Sequence, residues 1–335
     1  MKIVVTGALG HIGSALVRQL PSDFPDAAIV MIDNMMTQRY ASLFDLPVVG
    51  RYQFIEADVR KIDLRPIFDG TNVVIHLAAI TDAAGTFDRA AELEANNFDA
   101  TAKVATACRD TGARLIHLSS TSVYGTQIGI VSEDCTLQEL KPQSPYAETK
   151  LKEEDLVQSL AKRDGLRAIV FRFGTIFGAS VGMRYHTAVN KFCWQAVMGQ
   201  RLTIWKSAYD QKRPYLDLVD AIRAITFAIK HDLFDGRIYN ALTLNAKVRD
   251  IVDCIRDFVP DVQLSFVNSP IMNQLSYEVS CARFLDRGFV LTGGVRRGIA
   301  ETVELLAAAS QGTKFVRGNT RSLAGDGLLK KVGRT

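Results

Sequence analysis

The chain has 335 residues, a little over twice the roughly 150 of a typical domain, so two domains or one large one are expected. Hydrophobic residues at 47% and charged residues at 23% are ordinary for a folded globular protein and argue against a disordered chain. The net charge is +4, but residues 314–335 alone carry six basic side chains against the single acid Asp326, so the body is near neutral and offers no broad basic surface for nucleic acid. Five scattered cysteines (Cys108, Cys135, Cys193, Cys254, Cys281) form no CxxC and no zinc-ligand spacing, which fits reduced thiols better than a disulfide framework. The opening MKIVVTG lacks the pattern of a secretory signal, and no apolar run approaches the roughly 18 residues of a membrane span. The expectation is a soluble cytoplasmic protein with no metal and no membrane partner.

In chain order, short apolar runs predict strands over 2–6 (KIVVT), 28–32 (AIVMI), 52–56, 73–77 (VVIHL), 114–119 (RLIHLS) and 167–172 (RAIVFR). Helical spacing covers 12–20, 92–111 and a charged amphipathic stretch at 146–163. Apolar strands separated by helices are the pattern of an α/β, doubly wound parallel sheet, with ligands at the carboxyl edge of its strands. After Gly178 the rhythm changes. Helices are expected over 186–198, 218–231, 248–259 and 295–309, with short strands at 201–205 and 237–241. The organisation predicted is a nucleotide-binding domain over 1–178, a smaller mixed α/β domain over 179–312 that holds the substrate, and a basic, poorly ordered tail over 313–335.

Gly7, Gly10 and Gly13 follow the first strand and open the first helix with GxxGxxG spacing. Glycine there permits a tight turn and close approach of backbone to a pyrophosphate held by the helix N-terminus, although three glycines can also simply make a turn. Asp33 stands twenty residues after Gly13, at the end of the second strand, where an acid can bind both ribose hydroxyls and repel a 2′-phosphate. That favours NAD over NADP and a sheet of the Rossmann type. Asp58 and Val59, ending the third strand, sit where an adenine would rest, or Asp58 caps the next helix.

Two further segments carry chemistry, 119–125 (SSTSVYG) and 144–150 (SPYAETK). Tyr146 and Lys150 are four apart and share one helix face. A phenol is a poor base at neutral pH, but a neighbouring ammonium and a nicotinamide cation both favour its phenolate. Tyr146 can then exchange a hydroxyl proton while a hydride moves to or from nicotinamide, with a serine hydroxyl fixing the substrate oxygen.

TGALGHIG, HLAA (76–79), SSTSVYG, SPYAETK and the later RPYLDLVDAIRA together resemble the extended short-chain dehydrogenase/reductase family. Within it they are most similar to NAD-dependent nucleotide-sugar epimerases and dehydratases of the UDP-glucose 4-epimerase type, in motif order to about residue 306. The resemblance implies that Gly7, Gly10, His11, Ile12 and Gly13 hold the NAD pyrophosphate, Asp33 and Asn34 the ribose, and Asp58 and Val59 the adenine. Leu77, Ala78, Ala79 and Phe173 would line the nicotinamide side, with Asn97 in the helix below. Ser120, Tyr146 and Lys150 would be the catalytic triad. Thr121, Ser122, Thr175, Asn190 and Arg213 would face the nucleotide sugar, Arg213 as the guanidinium paired with its diphosphate. Helices 92–111 and 146–163 occupy positions that pair into a homodimer in this family, and Leu151, Leu156, Val157 and Leu160 give the second more than one apolar face.

Departures narrow the reaction. The family's RxFN segment is Arg172-Phe173-Gly174-Thr175 here, and the lysine often found after HxA is replaced by Thr81. Dehydratases carry an Asp-Glu pair where this chain has Thr121 and Ser122, which cannot supply acid and base at neutral pH. Decarboxylating relatives keep a glutamate at the second of these positions, and simple reductases more often use NADP. An epimerase is therefore favoured. A nucleotide-sugar reductase or dehydrogenase, and a non-catalytic NAD(P)-binding regulator, stay open as alternatives.

Overall fold

The computed structural model describes residues 1–81, 90–268 and 276–310; the tail expected over 313–335 lies outside the described residues. The first half alternates as expected. It runs β1 (Lys2–Thr6), α1 (His11–Asp23), β2 (Ala28–Asp33), β3 (Arg51–Glu56), α2 (Arg65–Phe68), β4 (Val73–His76), α3 (Ala90–Thr111), β5 (Arg114–Ser120), β6 (Ile130–Val131), α4 (Pro145–Asp164) and β7 (Ala168–Phe173). The second half holds β8 (Thr175–Phe177), α5 (Ala188–Val197), β9 (Leu202–Trp205), β10 (Lys212–Asp217), α6 (Leu218–Lys230), β11 (Ile238–Ala241) and β12 (Leu244–Lys247). It ends with α7 (Val248–Arg256), β13 (Leu264–Val267), β14 (Glu278–Val279), α8 (Ala282–Leu285) and α9 (Val295–Ala307).

Seven strands form one parallel sheet in the order β11-β7-β5-β4-β1-β2-β3. The order reverses between β1 and β4, which opens a crevice outside the carboxyl ends of those strands. One sheet face packs on α1 and α6 through residues such as Leu16, Leu20, Ala221 and Ile225. The other is covered by α3 and α4 through Val104, Cys108, Val157 and Leu160. Strands buried on both faces need uninterrupted apolar side chains, and Ile3, Val4 and Val5 of β1 are wholly inaccessible.

The second half builds a separate apolar core from Phe177, Phe192, Leu202, Tyr215, Ile255 and Ile299, over small sheets β12-β10-β8 and β13-β9. One element falls elsewhere. The strand expected at 237–241 in the smaller domain pairs in parallel with β7 as β11 and completes the main sheet, and all four residues of β11 are buried. The second half of the chain therefore returns to the first. The apolar residues of α4 that suggested a second greasy face are taken up within the chain: Leu151 packs near Val123 and Tyr124, and Leu156, Val157 and Leu160 pack into the core shared with α3. No helix among the described residues is long and apolar enough to cross a membrane.

Candidate active site

The glycine turn is built as its spacing predicts. Gly7 has φ +67°, and a Cβ on it would lie 2.6 Å from the backbone of Leu77 and Ala78, so only glycine lets β1 turn against the end of β4. A Cβ on Gly13 would sit 2.4 Å from the Gly7 carbonyl oxygen, which sets how closely α1 packs on the turn. Gly10 caps α1 without a side chain, leaving the helix's first N–H groups for an anion. Asp33, at the end of β2, accepts from the N–H groups of Leu9 (3.1 Å) and Met35 (3.0 Å). Each carboxylate oxygen keeps lone-pair capacity for a further donor. Asn34 accepts from Met36 N–H at 3.1 Å. Asp58 does not cap the next helix, which starts at Arg65 after Leu64; it accepts from Arg60 N–H (2.9 Å) in a local turn and lines the cavity. Hydrogen bonds from the Arg60 guanidinium hold its carboxyl below the usual range.

A strap over 178–187 lies on this turn. Ser180 Oγ donates to the His11 carbonyl (2.9 Å), Gly182 N–H donates to Ser14 Oγ (2.9 Å), and His11 Nε2 lies 2.8 Å from the Gly178 carbonyl oxygen. Gly182 must be glycine, since a Cβ there would meet the Leu9 carbonyl oxygen at 2.2 Å. Burial pushes the His11 imidazole down to about 4, with Arg39 and Arg184 adding to the effect, so it is a neutral latch at pH 7. Sequence reasoning missed Arg39 and Arg184, which lie in irregular segments without periodic signal. Both line the cavity, and Arg184 donates to Thr81 Oγ1, delivering a cation to the position where relatives carry lysine.

The opposite wall is α4. Ser144 caps it by accepting from Ala147 N–H (3.2 Å), Pro145 fits its first turn, and Gly165 ends it with φ +72°. That start places Tyr146 and Lys150 on the face toward the sheet, with the Lys150 ammonium 5.8 Å from the Tyr146 ring centre. Ser120 ends β5 and accepts from the N–H (3.2 Å) and hydroxyl (2.9 Å) of Ser122, which leaves its own proton to donate. Burial pushes the Tyr146 phenol above its ordinary value; Lys150 pulls it down and Glu153 pushes it up. In the chain alone desolvation outweighs the pull of a lysine already paired with a carboxylate; the lowered phenol expected from the sequence drew on a nicotinamide cation as well.

One cavity of about 430 Å³ is lined by nearly every expected residue: Gly7, Gly10, His11, Ile12, Gly13, Asp33, Asn34, Asp58, Val59, Leu77, Ala78, Ala79, Ser120, Thr121, Ser122, Tyr146, Lys150, Phe173, Thr175 and Arg213. Arg213 Nε is buried without a hydrogen-bond partner among the described residues, a donor aimed at no protein group. Gly174, in the altered RxFN segment, lets β8 approach β10: a Cβ would meet the Pro214 carbonyl oxygen at 3.1 Å. Tyr277, also missed, reaches the cavity from the second half, 3.4 Å from Thr121 Oγ1. Two expected residues stand behind the wall. Both amide atoms of Asn97 bond the backbone of Ile80 (2.8 and 2.9 Å), and both of Asn190 bond that of Gly178 (3.1 and 3.2 Å). Asn190 is fully inaccessible, so it holds the strap's start and does not face the cavity where a diphosphate contact was expected.

The glycine cradle, the fixed Asp33 and the unpartnered Nε of Arg213, whose Nη2 donates to Gln211 Oε1 (3.4 Å), fit a dinucleotide beside a second anionic ligand. The sequence model of the NAD dependent epimerase/dehydratase family matches residues 3–241. The chain belongs to this family. It is 29% identical to an uncharacterized UDP-glucose epimerase of Bacillus subtilis (strain 168), over 77% of this chain and 82% of that protein. It is 27% identical, over 90% of its length, to a trifunctional UDP-glucose 4,6-dehydratase/epimerase/reductase of Arabidopsis thaliana, of which it spans 46%. Among solved structures it resembles the UDP-glucuronic acid 4-epimerase of Bacillus cereus in complex with UDP-glucuronic acid and NAD. That likeness has TM-score 0.81 and 25% identity, covering 92% of this chain and 100% of that one. NAD is thus the cofactor of this family.

Proposed function

We propose that the chain is an NAD-dependent epimerase of nucleotide sugars. The observation that carries this reading is the convergence of the glycine turn, Ser120, Tyr146, Lys150 and Arg213 on one cavity, with hydroxyls at Thr121 and Ser122 where elimination would need acids. NAD, when bound, supplies a hydride acceptor that can also give the hydride back. Ser120 donates to the reacting sugar oxygen and fixes it beside Tyr146. The Tyr146 phenolate oxygen takes the hydroxyl proton and later returns it, and the positive cofactor favours that phenolate where Lys150 alone does not. Arg213 holds the diphosphate while the keto sugar turns over, so that hydrogen returns to the opposite face. Thr175 and Ser122 line the space for the sugar.

The family members named above carry UDP-sugars, so the test starts with UDP-glucose and UDP-glucuronic acid and extends to GDP-, dTDP- and CDP-sugars. Interconversion of epimers without net NADH supports the proposal. Net NADH accumulation assigns a dehydrogenase instead. Light scattering tests the expected homodimer, for which twice the chain mass at micromolar concentration is required.

A further inference from the structure

Beneath the Tyr146–Lys150 pair lies a charged cluster whose carboxylates, Glu153 and Glu154, do not line the cavity. Residues 146, 150, 153 and 154 share one face of α4. Glu153 Oε2 accepts from Lys150 Nζ at 2.8 Å and lies 3.2 Å from His117 Nε2, and Glu153 and His117 are wholly inaccessible. The His117 contact is at hydrogen-bond distance but poorly aligned, leaving both ring nitrogens and Glu153 Oε1 without a hydrogen-bond partner among the described residues. His117 of β5 stacks at 6.0 Å on His76 of β4, which is held by Thr6 Oγ1 (2.7 Å) and Thr101 Oγ1 (3.3 Å). The next carboxylate differs. Glu154 is closed off by a two-pronged pair with Arg172 of β7 (2.9 and 2.7 Å) and by Ser119 Oγ (2.5 Å).

A buried lysine–carboxylate pair costs desolvation that an apolar pair of equal volume avoids, so packing alone gives no reason for Glu153. We infer that Glu153, backed by His117, is a positioning residue for Lys150: it anchors the ammonium under Tyr146 and offsets its charge, and so sets the pH at which the pair releases its first proton. This rests on the reading of Tyr146 as the base. The charged and titratable groups facing the pair are Glu153 and Glu154 from α4, His117 from β5, His76 from β4 and Arg172 from β7. Burial lowers both histidines, which leaves them neutral at pH 7. The balance above Glu154–Arg172 is therefore held by Glu153 alone.

The tyrosine and lysine titrate as a unit, and the forms Tyr–O⁻/Lys⁺ and Tyr–OH/Lys⁰ carry the same charge. Glu153→Gln removes a negative charge, so the first proton leaves more easily whichever group loses it. At the same time the neutral-lysine form gains, because the ammonium has lost its carboxylate. The expected result is an acid limb of the pH–rate profile displaced downward by about 1 pH unit, together with a plateau lowered about tenfold. Glu153→Asp keeps the charge and should return the limb to within a few tenths of the parent's. The same displacement is readable without turnover, in the tyrosinate absorbance of the NAD-loaded parent minus that of Tyr146→Phe, compared with the same difference in the Glu153→Gln background. A displaced tyrosinate titration supports the inference even if no sugar in the panel is converted, which would count against the epimerase reading alone. A Glu153→Gln protein that keeps the parent's titration, however much stability it loses, overturns it.

Discussion

The two ends of the cavity are made in different ways. The end at β1 and α1 is one continuous strand–turn–helix whose recognition groups are backbone N–H groups, and its shape depends on where a Cβ cannot stand. The end at α4 is assembled from side chains of β5, α4, β8 and β10, with the Tyr277 hydroxyl added from beyond β13. A backbone cradle suits a ligand part that never changes, the pyrophosphate. A side-chain assembly can be altered one residue at a time, which is how one fold comes to host several reactions.

The comparison predicts that the ends fail separately. Tyr146→Phe should lower turnover by about 10² to 10⁴ while leaving NAD binding, measured by calorimetry, as in the parent. Gly13→Ala should do the reverse: its Cβ would lie 2.4 Å from the Gly7 oxygen, and we expect NAD affinity to fall at least tenfold with a loss of about 1–3 kcal/mol in stability by denaturant unfolding. Arg213→Met should raise KM for the nucleotide sugar about tenfold or more with kcat little changed, since a charge-assisted hydrogen bond is worth about 1.5–3 kcal/mol. A further effect concerns pH. Burial holds His11 at about 4 and His76 at about 3, against 6.5 for each when exposed. The unfolded chain therefore binds more protons below 6.5, so this contribution is complete above 6.5 and is lost as pH falls through about 4 and then 3. Thermal unfolding should show a midpoint falling by several degrees from pH 7 to 4, and His11→Gln should reduce the slope.

The backbone end was the more legible in sequence because its physical requirement, glycine at three spaced points and an acid at the next strand end, is itself a pattern of residue types. Tyr146 and Lys150 could be placed for a similar reason, since helix spacing fixes their direction, whereas Ser120 among its neighbouring serines was singled out only by the family resemblance. Arg39, Arg184 and Tyr277 come from irregular segments, whose course depends on contacts such as Gly182 against Leu9 that leave no periodic trace. Glu153 and Glu154 fall in the charged amphipathic stretch expected over 146–163 without being singled out there; both are buried, because partners on β5 and β7 exist only once the sheet has formed. Asn190 matched a family position by order along the chain, but its amide serves the backbone of Gly178.

The most direct test of transient oxidation of the sugar carbon beside Tyr146 is conversion in heavy water, with the product's carbon-bound hydrogens read by NMR. If the hydrogen taken from the sugar carbon is the one returned to it, the epimer carries no deuterium at the inverted centre. Deuterium at that carbon would mean that inversion proceeds by exchange with solvent, and the assignment of hydride chemistry to this cavity would be wrong.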